Sequence, residues 1–125
     1  MSNLKYTKDH ECVYVDGETA WIGITDFAQD ALGDLVFVEM PEIGKAIEKQ
    51  GAVAVVESVK TAADVYTPVA GEVTEVNSAM EGDLELIKSP VNDNGWIVKL
   101  KITDKSSLDE LMDEPAYKTY LESLD

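Results

Sequence analysis

Positive charge is the scarcest feature of this sequence, which contains no arginine and ten lysines that form no cluster. Asp and Glu together number 25 and bring the formal net charge to -15. Binding to a phosphate backbone requires concentrated positive charge, so we expect neither nucleic acid nor an anionic membrane surface as a partner. Such an excess of carboxylates favours solubility and steers a protein towards basic surfaces on its partners.

Long apolar runs are missing as well, although 45% of the residues are hydrophobic. A membrane-spanning helix needs roughly 18 or more consecutive apolar residues, and no run approaches that length. The N-terminal stretch MSNLKYTKDHE contains neither an apolar signal segment nor an Arg-rich amphipathic pattern. We therefore expect no membrane span, no targeting segment and a cytoplasmic location for a monomer that forms one domain, residues 1–125.

Cysteine and histidine each occur once, as Cys12 and His10. A lone cysteine excludes an intramolecular disulfide and suits a reducing compartment. On a predicted strand the two side chains would point to the same side, as a Cys-His nucleophile pair requires, but burial is the commoner role of a lone thiol. A zinc site needs three or four nitrogen or sulfur ligands, which this chain does not offer. NDNG, residues 92–95, lacks the glutamate that ends a calcium loop and predicts a hairpin turn.

Short stretches of alternating apolar residues predict a mainly β protein, a compact sandwich or flattened barrel. CVYV and TAWIGI flank Asp16-Gly17, which predicts a hairpin with a type I′ turn. LVFVEM predicts a strand that ends at Pro41. GWIVKLKIT predicts a final strand, whose core face would carry Trp96, Val98, Leu100 and Ile102.

A helix is predicted in TDFAQDALGD, where Asp26 and Gln29 would form a capping box and Gly33 suits the helix exit. Its apolar residues are expected to face the core: Phe27, Ala31 and Leu32.

The C-terminal residues 106–124 predict a helical tail. A capping box from Ser107 to Glu110 opens a short helix that would contain Leu111 and Met112, and Pro115 suits the first turn of a second helix. The apolar residues of the second helix fall on one face that would pack on the sheet: Tyr117, Tyr120, Leu121 and Leu124.

A faint internal repeat joins the two halves of the middle of the chain. Pro-x-x-Gly occurs at Pro41–Gly44 and again 27 residues later at Pro68–Gly71, each time between strand-like segments. The two halves meet in VVESVKTAADV, residues 55–65, where Lys60 occupies a tight turn without the usual turn residues.

Lys60 has two interpretations. A solvated turn lysine is the commonest role. However, apolar strands flank the turn, its neighbours are small, and nothing buries the amine, so it is poorly suited to Schiff-base chemistry and well suited to acylation by another enzyme. Glu57, three residues earlier on the same hairpin, is then a residue that the modifying enzyme could recognise.

From about Leu4 to Leu121, the chain resembles the H proteins of the glycine cleavage system. The motifs that carry the resemblance are Ile-Gly-Ile-Thr-Asp, Ala-Leu-Gly-Asp, Glu-Ser-Val-Lys and Pro-Val-Ala-Gly-Glu-Val. The resemblance implies a lipoyl-carrier fold, a flattened barrel or barrel-sandwich hybrid with a few short peripheral helices. It also implies a non-catalytic protein that carries lipoate as an amide on Lys60.

The resemblance further implies partners and a cleft for the lipoyl arm. The partners are glycine decarboxylase (P protein), an aminomethyltransferase (T protein), dihydrolipoamide dehydrogenase (L protein) and a lipoylating ligase or transferase. The cleft would hold the loaded arm near Asp9, Glu11 and Asp64, whose carboxylates would attract a cationic amine.

The chain departs from the family where Cys12 replaces a usual tryptophan and Phe27 a usual histidine, which affects expectations about docking but not the attachment hairpin. Two alternatives remain open: a lipoyl domain or lipoate-relay protein of another complex, such as a 2-oxoacid dehydrogenase, and a biotin carrier. Biotin carriers favour methionine on both sides of the lysine, where this chain has Val59 and Thr61.

Overall fold

The structure, a computed structural model, describes residues 4–7, 10–88, 91, 95–104 and 111–123, without the side chains of Asp26, Glu81, Lys88 and Asp104. The strands are β1 (Leu4–Tyr6), β2 (Glu11–Asp16), β3 (Thr19–Ile24), β4 (Leu35–Glu39), β5 (Ala46–Ile47), β6 (Ala52–Ser58), β7 (Ala62–Tyr66), β8 (Ala70–Val76) and β9 (Val98–Asp104). The helices are α1 (Asp26–Leu32), α2 (Ala79–Gly82), a 3₁₀ helix (Leu84–Lys88) and α3 (Glu114–Ser123).

Nine described strands form two sheets that face each other across one core. The first sheet has the order β1-β2-β3-β9-β8-β5 and the second has the order β4-β6-β7. Neither sheet closes on itself, so the predicted barrel-sandwich architecture is confirmed. The core between them combines fully buried residues of both sheets: Val13, Ile22, Val73, Val98 and Leu100 from the first, with Val38, Val56 and Val65 from the second. That the whole chain forms one domain stays a prediction.

The predicted first hairpin is present, but its turn type is different. Strands β2 and β3 pair from Glu11↔Ile24 to Asp16↔Thr19, which leaves a two-residue loop. Of the loop residues, Gly17 has a positive φ of 61° and Glu18 does not. A type I′ turn needs positive φ at both central residues, whereas a II′ turn needs it at the first alone, so the glycine defines a turn of the II′ kind.

The Pro-x-x-Gly repeat marks two equivalent crossings between the sheets. The chain passes from β4 of the second sheet to β5 of the first, and again from β7 to β8. The two arriving strands then pair with each other through Ile47↔Gly71. The glycines have different roles: Gly44 adopts a positive φ of 94°, while a Cβ on Gly71 would lie 2.6 Å from the carbonyl oxygen of Lys101.

The capping box predicted for α1 is wrong, because the cap lies one residue earlier. Thr25 is the N-cap, and its Oγ1 accepts a hydrogen bond from the N–H of Ala28 at 3.3 Å. Gln29 instead donates from Nε2 to the carbonyl oxygen of Ile87 at 2.9 Å, which ties α1 to the 3₁₀ helix. The predicted exit is present, since Gly33 caps the helix with φ 83°.

The predicted core face of α1 is correct for Leu32 alone. Leu32 is buried, whereas Ala31 is exposed and Phe27 is 41% exposed. The Phe27 ring lies against the ring of His10, with centroids 4.2 Å apart, at the edge of the molecule and not in its core.

The C-terminal helix docks through Tyr117, as its apolar pattern predicts. The Tyr117 ring is buried and stacks on Tyr6, with centroids 4.7 Å apart. Its hydroxyl lies 2.9 Å from Oγ1 of Thr25 and 2.8 Å from Nδ1 of His10, so it joins α3 to the N-cap of α1. Burial, followed by the nearby Glu114 carboxylate, raises the pKa of Tyr6 to about 12.

Leu111 and Met112, the described end of the short helix that the sequence predicts, are not helical. Met112 forms an antiparallel bridge with Tyr6, through two backbone hydrogen bonds of 2.8 and 3.0 Å. Residues 105–110, Asn94 and Leu124, which carry other parts of the tail and turn predictions, lie outside the described residues.

The final strand has the predicted buried face, with Val98, Leu100 and Ile102 all in the core. Strict alternation would place Ile97 on the opposite face, but it is fully buried because the strand begins only at Val98. On the outer side, Lys99 Nζ lies 3.9 and 4.5 Å from the ring centroids of Trp21 and Trp96.

Candidate functional site

Lys60 lies in the turn that joins β6 to β7, with Val59 and Lys60 as its two central residues, and its side chain is exposed. The pairing Glu57↔Ala62 is followed by a hydrogen bond of 2.7 Å from the N–H of Ser58 to the carbonyl oxygen of Thr61. Neither Val59 nor Lys60 has the positive φ that the favoured hairpin turns require. The turn must therefore be stabilised by something other than its own two residues.

Ser58 provides that stabilisation, and it is the functional residue that sequence reasoning missed. Its hydroxyl oxygen accepts hydrogen bonds from the N–H groups of Lys60 (3.2 Å) and Thr61 (3.1 Å) and donates to the Thr61 carbonyl at 3.1 Å. A serine that binds backbone groups two and three residues ahead is a known turn-forming device. A serine two residues before the turn lysine is the sequence signal that could have revealed it.

The turn is also anchored to the exit of α1. The N–H of Val59 donates to the carbonyl oxygen of Asp34 at 3.1 Å. The lysine side chain crosses Gly33, where an added Cβ would lie 3.0 Å from Cε and 3.6 Å from Nζ of Lys60. The absence of a side chain at Gly33 thus leaves room for the lysine stem. Within the described part of the chain, Nζ of Lys60 pairs with no carboxylate.

A cleft of about 890 Å³ opens next to this crossing. It lies between α1 and the 3₁₀ helix, and Gly33 forms part of its wall. Its lining includes the apolar residues Leu35 and Ile87 and four carboxylates: Asp30, Asp34, Asp83 and Glu85. No local pattern in the chain predicts this cleft, because it brings together residues that are about 50 positions apart.

Glu57 lies on the solvent side of the second sheet, in line with the lysine turn. Cross-strand partners share a face, so the register places Phe37, Glu57 and Ala62 in one row. The next row on that side holds Glu39, Val55 and Asp64. We call these six residues the outer face.

The predicted arm carboxylates have different environments. Glu11 is only 4% exposed, and it accepts hydrogen bonds from the Thr7 hydroxyl at 2.8 Å and from the N–H of Tyr66 at 3.4 Å. Asp64 is exposed and accepts from the Tyr66 hydroxyl at 3.2 Å. Tyr66 thus links the two acids, and Asp9 lies outside the described residues.

His10 and Cys12 do not share a strand as predicted. His10 precedes β2 and has a positive φ of 69°, which turns its ring towards Tyr117. Cys12 is buried beside Val91 and Trp96, in agreement with the structural role of a lone thiol.

Two classes of site are not found among the residues that the structure describes. No group of three or more His, Cys, Asp or Glu side chains could hold a metal ion. No helix in the same part of the chain is long and apolar enough to cross a membrane.

Comparison with known proteins agrees with this geometry. The profile of the family described as Glycine cleavage H-protein matches residues 4–124. A "Glycine cleavage system H protein" of Xanthobacter autotrophicus is 53% identical over 124 residues, covering 99% of each chain. One from Thermus thermophilus is 56% identical over 118 residues, covering 94% of this chain and 92% of its own. The crystal structure of a glycine cleavage system H protein from Mycobacterium marinum has a TM-score of 0.85, 32% identity and 98% coverage of both chains. By sequence and by fold, the chain belongs to the glycine cleavage H-protein family.

Proposed function

We propose that Lys60 carries lipoate through an amide and that the chain serves as the lipoyl carrier of the glycine cleavage system. The observation that carries the proposal is the rigid display of this one amine. Every backbone N–H from Ser58 to Thr61 has a hydrogen-bond partner, while the Lys60 side chain stays exposed. The protein is a non-catalytic member of its system, in keeping with its family.

The residues present fit the attached group. An exposed amine that pairs with no carboxylate of the described residues is accessible for the amide bond, and the amide removes its positive charge. When bound, lipoate supplies a sulfur that accepts the aminomethyl group of glycine and a dithiol that is reoxidised afterwards. The chain itself contributes the fixed starting point of the arm, set by Ser58 and by the bond from Val59 to Asp34.

We propose three partners that share this arm, following the family. Glycine decarboxylase loads it, the aminomethyltransferase unloads it, and dihydrolipoamide dehydrogenase reoxidises it. The cytoplasmic location, the monomeric state and the absence of nucleic-acid binding stay predictions.

We also propose that Asp9, Glu11 and Asp64 protect the cationic aminomethyl group on the arm from hydrolysis. The burial of Glu11 supports a division of roles between the two described acids. Asp64 is exposed and would face the amine directly, whereas Glu11 holds the end of β7 through Tyr66. Asp64→Asn should shorten the lifetime of the loaded carrier more than Glu11→Gln does, measured as formaldehyde release. Equal lifetimes of both variants and the wild type would remove the acids from this role.

The test of the proposed function has two steps. The apo chain is incubated with lipoate, ATP and a lipoate ligase, and intact mass and peptide mapping should find one lipoyl group on the peptide that contains Lys60. Purified glycine decarboxylase and glycine should then reduce the lipoyl group. A lipoyl domain of a 2-oxoacid dehydrogenase or a biotin carrier should not be reduced under these conditions. Modification at another lysine would refute the site, and failure of the second step would refute the glycine assignment.

A further inference from the structure

The outer face of the second sheet carries an apolar feature that packing does not explain. The pairing of β4 with β6 slips between Leu35↔Ser58 and Phe37↔Glu57, so Val36 is the extra residue of a bulge. As a result, two consecutive apolar residues point outward: Val36 is 56% exposed and Phe37 is 51% exposed. A regular strand would send one of the two into the core.

This arrangement lies at an edge where exposed apolar residues are normally avoided. Among the described strands, β4 pairs with β6 on one side only. Edge strands with outward apolar side chains promote unwanted association, so proteins usually place charges or prolines there. A bulge and an exposed aromatic ring at such an edge indicate a surface that meets a partner.

The charges around Phe37 specify what kind of partner fits. Glu57 is its cross-strand neighbour, and Glu39 and Asp64 occupy the next row of the outer face. Neither Glu39 nor Glu57 forms an ion pair within the described part of the chain. An apolar centre with an acidic surround complements a surface that offers an apolar pocket ringed by lysine or arginine.

We propose that the outer face is the docking surface of the enzyme that attaches lipoate to Lys60, with Phe37 as its apolar anchor and Glu39 and Glu57 as contacts for basic side chains. The inference rests on the proposed function, since it presupposes that Lys60 is the modified residue.

The position of the face favours this enzyme over the other partners. The first row of the outer face includes Glu57 and Ala62, which flank the turn that holds Lys60. An enzyme that acylates Nζ must bring the lysine stem itself into its active site, so its footprint has to cover these neighbours. Enzymes that act at the far end of a long arm have no such requirement.

Docking on the outer face would also explain why the lipoylating enzyme selects one of the ten lysines. Lys45 and Lys101, for example, are exposed like Lys60. Amine exposure alone cannot separate them, whereas a contact surface beside the Lys60 turn can do so.

The experiment measures lipoylation kinetics of purified apo variants with a lipoate ligase, lipoate and ATP, while the concentration of the chain is varied. Phe37→Ser should raise the KM for the chain about tenfold with little change in kcat, the effect expected of an interface anchor. Phe37→Leu should retain most of the affinity, and Glu39→Gln should raise KM about threefold. Ile43→Ser is the matched control, because Ile43 is 65% exposed but lies outside the outer face.

A second readout separates docking from distortion of the turn. Acetylation of Lys60 by a small amine-reactive ester should proceed at the wild-type rate in Phe37→Ser, because the reagent needs no docking surface. Wild-type KM in Phe37→Ser, or an equal rise in Ile43→Ser, would overturn this inference alone. Modification of the wild-type chain away from Lys60 would overturn the proposed function and this inference with it.

Discussion

Replacing Ser58 by alanine tests whether the lysine turn is held by one hydroxyl. The Ser58 oxygen makes three contacts of 3.1–3.2 Å with the backbone of Lys60 and Thr61. A hydrogen bond contributes about 0.5–1.5 kcal/mol net, and water replaces part of it here because Lys60 and Thr61 are exposed. We therefore expect a loss of about 1 kcal/mol in all, below the sum of three such bonds.

The loss should be measurable both globally and at the turn. For a domain of this size, about 1 kcal/mol lowers Tm by about 2–5 °C. Locally, the same loss corresponds to about a fivefold rise in the open fraction, so the amides of Lys60 and Thr61 should exchange about fivefold faster with deuterium. Lipoylation of Lys60 should slow in parallel, because the ligase then receives a less ordered turn.

The control is Ser78→Ala, since Ser78 is exposed and makes no side-chain cap bond at the start of α2. It should stay within about 0.5 kcal/mol of the wild type. Wild-type exchange rates at Lys60 and Thr61 in Ser58→Ala would show that the hydroxyl does not hold the turn, and the explanation of the turn would then be wrong.

Four further predictions concern other parts of the molecule. Lys60→Arg should abolish NADH production from glycine with all three partner enzymes, because a guanidinium cannot be acylated. Its free energy of unfolding should stay within about 0.5 kcal/mol of the wild type. Normal turnover would end the carrier assignment. Glu11→Ala should cost about 1–3 kcal/mol in denaturant unfolding, since Tyr66 and Thr7 lose a buried acceptor, and Glu11→Gln should cost less; equal midpoints would contradict this. With the pKa of Tyr6 at about 12, above the ordinary value of 10, the folded state holds the proton more tightly, so the contribution of Tyr6 to stability is present below pH 10 and is lost as the pH rises towards 12. Tyr6→Phe should remove this part of the fall in the free energy of unfolding with pH. Superimposable stability profiles of Tyr6→Phe and the wild type would contradict the prediction. No nucleic acid should shift in a gel at physiological salt, given a net charge of -15, and a salt-dependent shift would oppose this.

The sequence predicts the strands well because alternation is a local signal that the core reinforces. Val98, Leu100 and Ile102 alternate in the chain and are buried together in β9. The lysine turn was also predictable, since apolar segments on both sides leave few residues to reverse the chain.

What the sequence could not predict depends on tertiary contacts. Thr25 and Asp26 are both good N-cap residues, and Thr25, the cap in the structure, also contacts the distant hydroxyl of Tyr117, which local sequence does not show. Helix α1 has only seven residues, which is too short for periodicity to fix its buried face, so Phe27 was assigned wrongly. Likewise, an isolated glutamate such as Glu11 is expected at the surface, and only the strands around it show why it is buried.

The contacts at the two ends of α1 connect the C-terminal helix mechanically to the lysine turn. At the first end, Thr25 bonds to Tyr117; at the other, Asp34 accepts the N–H of Val59. Seven helical residues span about 10 Å, so α1 acts as a short rigid strut between α3 and the point where the arm starts. A tag or fusion that displaces α3 would then also disturb the attachment hairpin. The first sign would be faster hydrogen exchange at the Val59 amide.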